Sequence, residues 1–283
     1  MDRRKLGKTG EMLSIVGFGG ILVMNETAEN SAAFVGEAVN QWGVNYFDVA
    51  PSYGNAEEML GPALEPYRKD VFLACKTGKR DAVGAEEELH TSLKRMRTDH
   101  FDVYQLHAVT TLAEVDQIFG AGGAMETFLR AREQGKVRFL GFSAHSEEAA
   151  LALMDRFDFD TILFPFNWSS WLKEGFGPAV MARAVEKQMG VFALKTLAKR
   201  AWAEGEARDW SKTWYKPVES YDEARLAARF TLSQPVTASV SPGHIELFRW
   251  LCQAAEEFQP ITDAELATLR TWAADLKTIF PQK

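Results

Sequence analysis

The sequence is poor in cysteine, has no excess of basic charge and contains no long hydrophobic run. Only two of its 283 residues are cysteines, Cys75 and Cys252, so we expect a reducing cytoplasm and no disulfide framework. Acidic residues outnumber basic ones by 39 to 32, and this net charge of −7 argues against nucleic acid as a partner. No apolar stretch approaches the roughly 18 residues of a membrane span, so no membrane partner is expected.

Hydrophobic residues make up 46% of the chain, enough for a sizeable core. Short apolar runs bounded by turn signals alternate with segments of helical periodicity, which is typical of buried parallel strands joined by helices. The predicted strands are residues 14–20, 44–48, 71–76, 101–107, 137–143, 161–165, 191–195 and 237–241. The predicted helices are residues 31–42, 55–64, 85–96, 112–118, 125–134, 146–156, 178–188, 222–232, 245–257 and 262–276.

This alternation predicts an α/β protein, a single closed (β/α)8 TIM barrel that spans residues 1–283 as one domain. Residues 1–14 are predicted to form a β-hairpin before the first barrel strand, and residues 197–221 a long loop. The competing arrangement is an open doubly wound sheet. It usually carries a GxGxxG turn after its first strand, and Gly17-Phe18-Gly19-Gly20-Ile21-Leu22 does not match that pattern.

Four polar residues stand at or just after predicted strand ends: Asp48, Tyr53, Lys76 and His107. Because the carboxyl ends of parallel barrel strands meet at one mouth, a carboxylate, a phenol, an ammonium and an imidazole should gather there. Each residue alone has a structural explanation, Asp48 as a loop cap and Tyr53 as a turn residue. The ordered set is what indicates proton chemistry.

A free tyrosine has a pKa near 10. An ammonium about 4 Å away, at an effective dielectric constant of about 20, attracts the phenolate by roughly 4 kcal/mol before desolvation. We therefore expect Lys76 to lower the pKa of Tyr53 by up to about 2–3 units, with Asp48 as the counter-ion of Lys76. His107 can donate a hydrogen bond to a carbonyl oxygen, so the set suits the reduction of a carbonyl group.

Four segments closely resemble the aldo-keto reductase superfamily. They are Asn45-Tyr46-Phe47-Asp48-Val49-Ala50-Pro51-Ser52-Tyr53-Gly54-Asn55-Ala56-Glu57, Leu73-Ala74-Cys75-Lys76-Thr77, Asp102-Val103-Tyr104-Gln105-Leu106-His107 and Gly135-Lys136-Val137-Arg138-Phe139-Leu140-Gly141-Phe142-Ser143. The resemblance implies a (β/α)8 barrel that binds NADP(H), with NAD(H) as the alternative, and reduces a small aldehyde or ketone. It also implies that Tyr53 is the proton donor, Lys76 and Asp48 its tuning pair, and His107 the residue that orients the carbonyl.

The resemblance also implies a set of cofactor contacts: Gly19, Gly20, Asp48, Ser143, Lys195, Thr196, Leu197, Ser241, Gly243 and Arg249. The sequence departs from the family pattern at several of them. Ala144 follows Ser143 where members usually have Asn, and Leu163 stands where a Gln is usual. The seventh predicted strand ends in Leu194-Lys195 without the usual stacking aromatic, and Arg249 is the only cation near the place of the usual basic cluster.

Substrate contacts are predicted from Tyr53, His107 and three tryptophans, because aromatic residues on loops above a barrel mouth suggest an apolar pocket. The tryptophans are Trp168, Trp202 and Trp214. Packing of the long loop onto the barrel is their alternative role. Two other functions stay open: a catalytically weak NADPH-binding sensor or regulatory subunit, and a metal-dependent hydrolase using Asp48, His107 and His145. No HxH or HExxH spacing favours a metal, and the sequence does not indicate the oligomeric state.

Overall fold

The computed structural model describes residues 1–281 and has a closed parallel barrel of eight strands at its centre. The barrel strands are β3 (Val16–Gly19), β4 (Tyr46–Asp48), β5 (Phe72–Thr77), β6 (Phe101–Val109), β7 (Val137–Ala144), β8 (Thr161–Phe164), β9 (Gly190–Ala193) and β12 (Ala238–Val240). Each strand pairs in parallel with the next, and β12 closes the ring between β9 and β3. The predicted (β/α)8 barrel is therefore confirmed, with all eight strands in the predicted places.

Eleven α-helices lie within residues 1–281. They are α1 (Ala28–Asn40), α2 (Ala56–Leu64), α3 (Ala82–Arg95), α4 (Leu112–Phe119), α5 (Ala124–Glu133), α6 (Glu147–Arg156), α7 (Trp168–Glu174), α8 (Pro178–Glu186), α9 (Tyr221–Leu232), α10 (Ile245–Glu256) and α11 (Asp263–Ala274). A capping box of Thr262 and Glu265 starts α11. A capping box of Asn55 and Glu58, which the order of these residues predicts for α2, is absent, since the Asn55 side chain instead accepts a hydrogen bond from the backbone of Asn25. None of the described helices has the length and apolar character needed to cross a membrane.

Successive side chains of each barrel strand point to opposite faces, one towards the helices and one into the barrel, and each face belongs to a different hydrophobic core. In β5, Leu73 and Cys75 belong to the large core between barrel and helices, while Phe72 and Ala74 face the barrel interior. Lys76 follows in the inward series, and its neighbour Cys75 packs towards the helices, as the alternation of side chains along a strand predicts. Asp48 follows Tyr46 in the same inward series, and His107 follows Val103 in β6.

The predicted N-terminal hairpin is confirmed and closes one end of the barrel. It pairs β1 (Arg3–Lys5) with β2 (Met12–Ser14). Leu6 and Leu13 pack against the inward side chains of the barrel strands, in one cluster with Phe192 and Tyr46. The barrel interior is therefore a filled core, and only the opposite mouth is left to form a site.

Two elements were not predicted, and both lie over this mouth. The segment predicted as a loop, residues 197–221, contains an antiparallel pair of β10 (Ala198–Ala201) and β11 (Tyr215–Pro217). The short helix α7 begins directly after β8, with the Asn167 side chain capping its first turn. Ala198-Lys199-Arg200-Ala201 shows no clear alternation of apolar and polar residues, so no local pattern indicates a strand there.

Candidate active site

The ends of β4 and β5 place an ion pair inside the barrel. Lys76 and Asp48 are almost fully buried, and the Lys76 ammonium contacts the Asp48 carboxylate directly. The same ammonium donates to the backbone carbonyl of Val49 at 3.2 Å. Burial by itself lowers the pKa of Lys76, but the attraction of Asp48 and further interactions outweigh it and raise that pKa above its usual value. Lys76 is therefore a permanent cation.

The second carboxylate oxygen of Asp48 is held by two neighbours that the site prediction did not include. The Gln105 amide donates to it at 3.1 Å, and the Tyr46 hydroxyl at 3.4 Å. A Cβ at Gly141 of the neighbouring strand β7 would overlap the Thr161 hydroxyl and lie 3.2 Å from Cγ of Gln105, so this glycine leaves room for both side chains. Gln105 could have been found from the sequence, because it lies between Val103 and His107 in the inward series of β6.

Tyr53 lies in the turn between β4 and α2, where its backbone N–H donates to the carbonyl of Ala50 at 3.1 Å. Its hydroxyl lies 3.4 Å from the Lys76 ammonium, as the sequence predicted. The expected effect on the phenol is wrong in its net direction. Burial raises the pKa of Tyr53 and outweighs the lowering effect of Lys76, so the phenol keeps its proton throughout the neutral range.

His107 lies beside Tyr53, with their rings 5.7 Å apart and nearly perpendicular. The Ser52 hydroxyl lies 3.3 Å from Nδ1 of His107, and Arg80 donates to the backbone carbonyl of His107 at 2.7 Å. Burial, followed by repulsion from Lys76, lowers the pKa of His107 to about 2. The imidazole is consequently neutral at any ordinary pH.

Asp48 and Tyr53 border a cavity of about 130 Å³ at the barrel mouth. Seven of the predicted site residues line it: Gly19, Asp48, Tyr53, Lys195, Trp214, Ser241 and Gly243. Tyr215, Pro242 and Lys212 line it as well and were not predicted as site residues. Larger hollows occur at the opposite end of the barrel and on its flanks, but they contain none of the four proton-transfer residues.

The structure does not bring every predicted residue to this cavity. Trp168 is buried in the outer core against Trp272, and Trp202 is buried with its indole N–H donating to the carbonyl of Thr213. Arg249 lies on α10 in a two-point ion pair with Glu37 of α1. These positions reflect long-range packing, which motif spacing does not encode.

The remaining predicted cofactor contacts are buried at strand ends. Gly20 begins a short 3₁₀ turn after β3, and Leu197 joins the outer core. Thr196 shares a hydrogen bond of 2.6 Å with Ser239. The Ser143 hydroxyl accepts from the backbone N–H of Ala108 at 2.7 Å. Leu163 is buried within the barrel interior.

The segment between β10 and β11, residues 202–214, crosses the mouth and is called the strap here. The Lys212 ammonium bridges to the Glu26 carboxylate at 2.7 Å and to the carbonyl of Leu22 at 2.8 Å. The backbone N–H of Lys212 donates to the His244 ring at 3.1 Å. Lys212 and Glu26 are far apart in sequence, so their pairing could not be read from a local pattern.

Among residues 1–281, no group of three or more His, Cys, Asp or Glu side chains is arranged to hold a metal ion. Two residues of the hypothetical hydrolase site, Asp48 and His107, are placed differently from metal ligands. Asp48 is bound to Lys76, and His107 has its Nδ1 beside Ser52.

The fold and the site together define a (β/α)8-barrel enzyme with acid–base groups at the carboxyl ends of its strands. The sequence model of the aldo/keto reductase family matches residues 16–269. The chain belongs to this family, and it is an NAD(P)H-dependent oxidoreductase.

Individual relatives agree with this assignment. The uncharacterized oxidoreductase YqkF of Bacillus subtilis is 26% identical, over 96% of both chains. L-galactose dehydrogenase of Arabidopsis thaliana is 29% identical over 55% of this chain, a match that spans about half, 52%, of that relative. The holo form of an aldo-keto reductase from Bacillus halodurans aligns over 100% of both chains with a TM-score of 0.76 and 22% identity, a similarity of fold alone.

The chemistry of the donors at the mouth fits a nicotinamide cofactor. The hydroxyls of Ser143 and Ser241 each accept a backbone N–H, from Ala108 and Gly19, and so keep their own protons for a ligand. Such donors suit a ligand rich in acceptors, as a carboxamide and phosphates are. The cavity of about 130 Å³ is smaller than the roughly 300–1,000 Å³ of pockets that hold ligands of drug size.

The buried neutral state of His107 has a consequence for stability. Its pKa is about 2 in the native protein against a usual 6.5, so below pH 6.5 the unfolded chain binds a proton that the native protein does not. Stability must therefore fall as the pH falls. We expect His107→Gln to remove about 1 kcal/mol of the loss in unfolding free energy between pH 6.5 and 5.5, measured by urea denaturation. Equal losses in the two proteins would contradict the burial of a neutral imidazole.

Proposed function

We propose that the protein reduces an aldehyde or ketone to an alcohol, with Tyr53 as the proton donor. The observation that carries this proposal is the contact of the Tyr53 hydroxyl with the Lys76 ammonium, at 3.4 Å beside a cavity large enough for a small carbonyl group. When bound, the nicotinamide cofactor supplies the hydride. Ser143, Thr196, Ser241 and Gly243 are the residues we assign to holding it, and the choice between NADPH and NADH stays open.

His107 orients the substrate. The Ser52 hydroxyl lies 3.3 Å from Nδ1, and we assign it as the donor, which leaves the proton of the neutral ring on Nε2. That proton can bind the carbonyl oxygen and polarise the carbon–oxygen bond. A neutral imidazole suits this task, because it can donate a hydrogen bond from Nε2 to the carbonyl oxygen without releasing the proton to solvent.

Tyr53 completes the reaction. As the carbonyl oxygen gains negative charge, the Tyr53 hydroxyl transfers its proton to that oxygen. The phenolate that remains lies beside the Lys76 ammonium, which stabilises it, and Asp48 keeps Lys76 charged. Because burial raises the pKa of Tyr53, its proton leaves only when a stronger base, the developing alkoxide, is present.

Tyr53→Phe tests the proton donor. General acid catalysis contributes about 10²–10⁴-fold, so we expect kcat to fall by at least about 10²-fold. The dissociation constant of NADPH, measured by tryptophan fluorescence, should be nearly unchanged. Unchanged turnover would contradict the assignment of Tyr53.

Tyr67→Phe is the matched control, because Tyr67 lies on the short 3₁₀ helix after α2, outside the cavity, where its hydroxyl accepts a hydrogen bond from Asn40. Its kcat should stay within about threefold of the wild type, since no proton transfer is assigned to it. If the wild-type protein binds NADPH but turns over no carbonyl compound in a broad panel, the sensor hypothesis would replace the reductase.

Opening of the strap should limit the release of cofactor. The Lys212–Glu26 ion pair is partly buried and worth roughly 1 kcal/mol, so Glu26→Gln should raise the dissociation rate of NADPH about fivefold. Stopped-flow fluorescence measures this rate. Glu29→Gln, an exposed change in the first turn of α1, is the control. Equal dissociation rates in all three proteins would show that the ion pair does not hold the strap closed.

A further inference from the structure

The cavity beside Tyr53 contains a lysine that no part of the proposed proton transfer uses. Lys195 follows β9 with its backbone in the left-handed region, at φ 64°. Residues other than glycine adopt this conformation rarely, and they keep it where the surroundings impose it. Here the buried Asn167 amide donates to the carbonyls of Lys195 at 2.9 Å and Ala198 at 2.7 Å. The turn is thus held in the conformation that directs the Lys195 side chain to the cavity.

Aromatic rings surround the Lys195 ammonium. Its nitrogen lies 5.3 Å from the ring centroid of Trp214 and 5.3 Å from that of Tyr215, within the range of cation–π attraction. The two rings come from the strap and from β11. They hold the long lysine side chain in place without neutralising its charge.

Lys195 is the unpaired cation of the mouth. The two other lysines that border the site have carboxylate partners, Lys76 with Asp48 and Lys212 with Glu26. The Lys195 ammonium has neither an ion pair nor a hydrogen bond with any residue of the described part of the chain. Both nearby imidazoles, His107 and His145, are neutral because burial lowers their pKa values to about 2 and about 4.

Burial and the charge of Lys76 lower the pKa of Lys195 to about 8, so at pH 7 it is mostly protonated and still lacks a counter-ion. An uncompensated charge in a desolvated place is costly, and an arriving anion would relieve that cost. The small cavity gives the position of this anion. Lys195 and Tyr53 share about 130 Å³, so one small molecule can meet both residues.

We propose that Lys195 binds an anionic group of the substrate, and that the substrates are carbonyl compounds that carry a carboxylate. The carbonyl oxygen lies at Tyr53 and His107, and the carboxylate at Lys195 between the rings of Trp214 and Tyr215. Lys195 is thus a specificity-determining residue. This inference rests on the proposed reductase function for its reacting end, and on the unpaired ammonium for its anionic end.

The test compares substrates that differ only in charge. The pairs are 4-carboxybenzaldehyde with its methyl ester and succinic semialdehyde with its methyl ester, each assayed with saturating cofactor. For at least one pair, wild-type kcat/KM should favour the acid at least tenfold. Lys195→Met should abolish this preference while kcat/KM for the ester changes less than threefold. Lys195→Arg should restore most of it, since it returns the positive charge.

Lys277→Met is the control, because the Lys277 side chain is exposed. Only the backbone carbonyl of Lys277 contacts this part of the protein, where it accepts a hydrogen bond from the N–H of Ala201 in β10. It should leave the preference unchanged. A wild-type enzyme without preference for either acid would overturn the inference. So would a Lys195→Met variant that loses acid and ester equally while its dissociation constant for NADPH rises, because Lys195 would then serve the cofactor.

A binding measurement separates this inference from the proposed function. Calorimetric titration with benzoate and with uncharged benzamide should show at least tenfold tighter binding of benzoate, and Lys195→Met should remove the difference. Selective benzoate binding without turnover of any carbonyl compound would support the anion site and contradict the reductase. Turnover without any Lys195-dependent selectivity would overturn the anion site and leave the reductase standing.

Discussion

A lysine and an aspartate meet inside the barrel, out of contact with water, and neither charge could remain there without the other. Breaking a buried ion pair by removing one partner commonly costs about 3–5 kcal/mol, because the remaining charge has no compensation. Lys76 and Asp48 must therefore occupy neighbouring inward positions of β5 and β4, and the hydrogen bonds from Gln105 and Tyr46 restrict the carboxylate further. The pair thus fixes one ammonium beneath the turn that carries Tyr53.

The chemistry of the mouth follows from this fixed charge and from burial. Around Lys76, a phenol and an imidazole are both held neutral, and we propose that the first donates a proton and the second a hydrogen bond to the substrate. Neither loses or gains a proton at ordinary pH before a substrate arrives. The Lys195 ammonium lies at the mouth between two aromatic rings, and we propose that it gives the site a preference for anionic substrates.

The strand ends could be predicted because short apolar runs followed by turn signals are local features of the sequence. For the same reason the meeting of Asp48, Tyr53, Lys76 and His107 was predictable from their order along a parallel barrel. Contacts between distant segments were not. Arg249 pairs with Glu37. Trp168 is buried in the core at the start of α7, a helix that no local sequence pattern predicts. The direction of the Tyr53 pKa shift also lay beyond the sequence, because it is the difference between a charge effect and the depth of burial.

The central claim is that the Tyr53 hydroxyl gives its proton to the substrate oxygen while the carbon is being reduced. It is tested most directly by the single-turnover rate of NADPH oxidation in H₂O and in D₂O, measured at matched positions of the pH profile with a primary deuterium label on the cofactor. If the proton is transferred in the same step as the hydride, D₂O and the deuterated cofactor should each slow that step. The residual reaction of Tyr53→Phe should then lose the solvent effect. A wild-type rate that is equal in the two solvents, although sensitive to the deuterium label, would contradict the account.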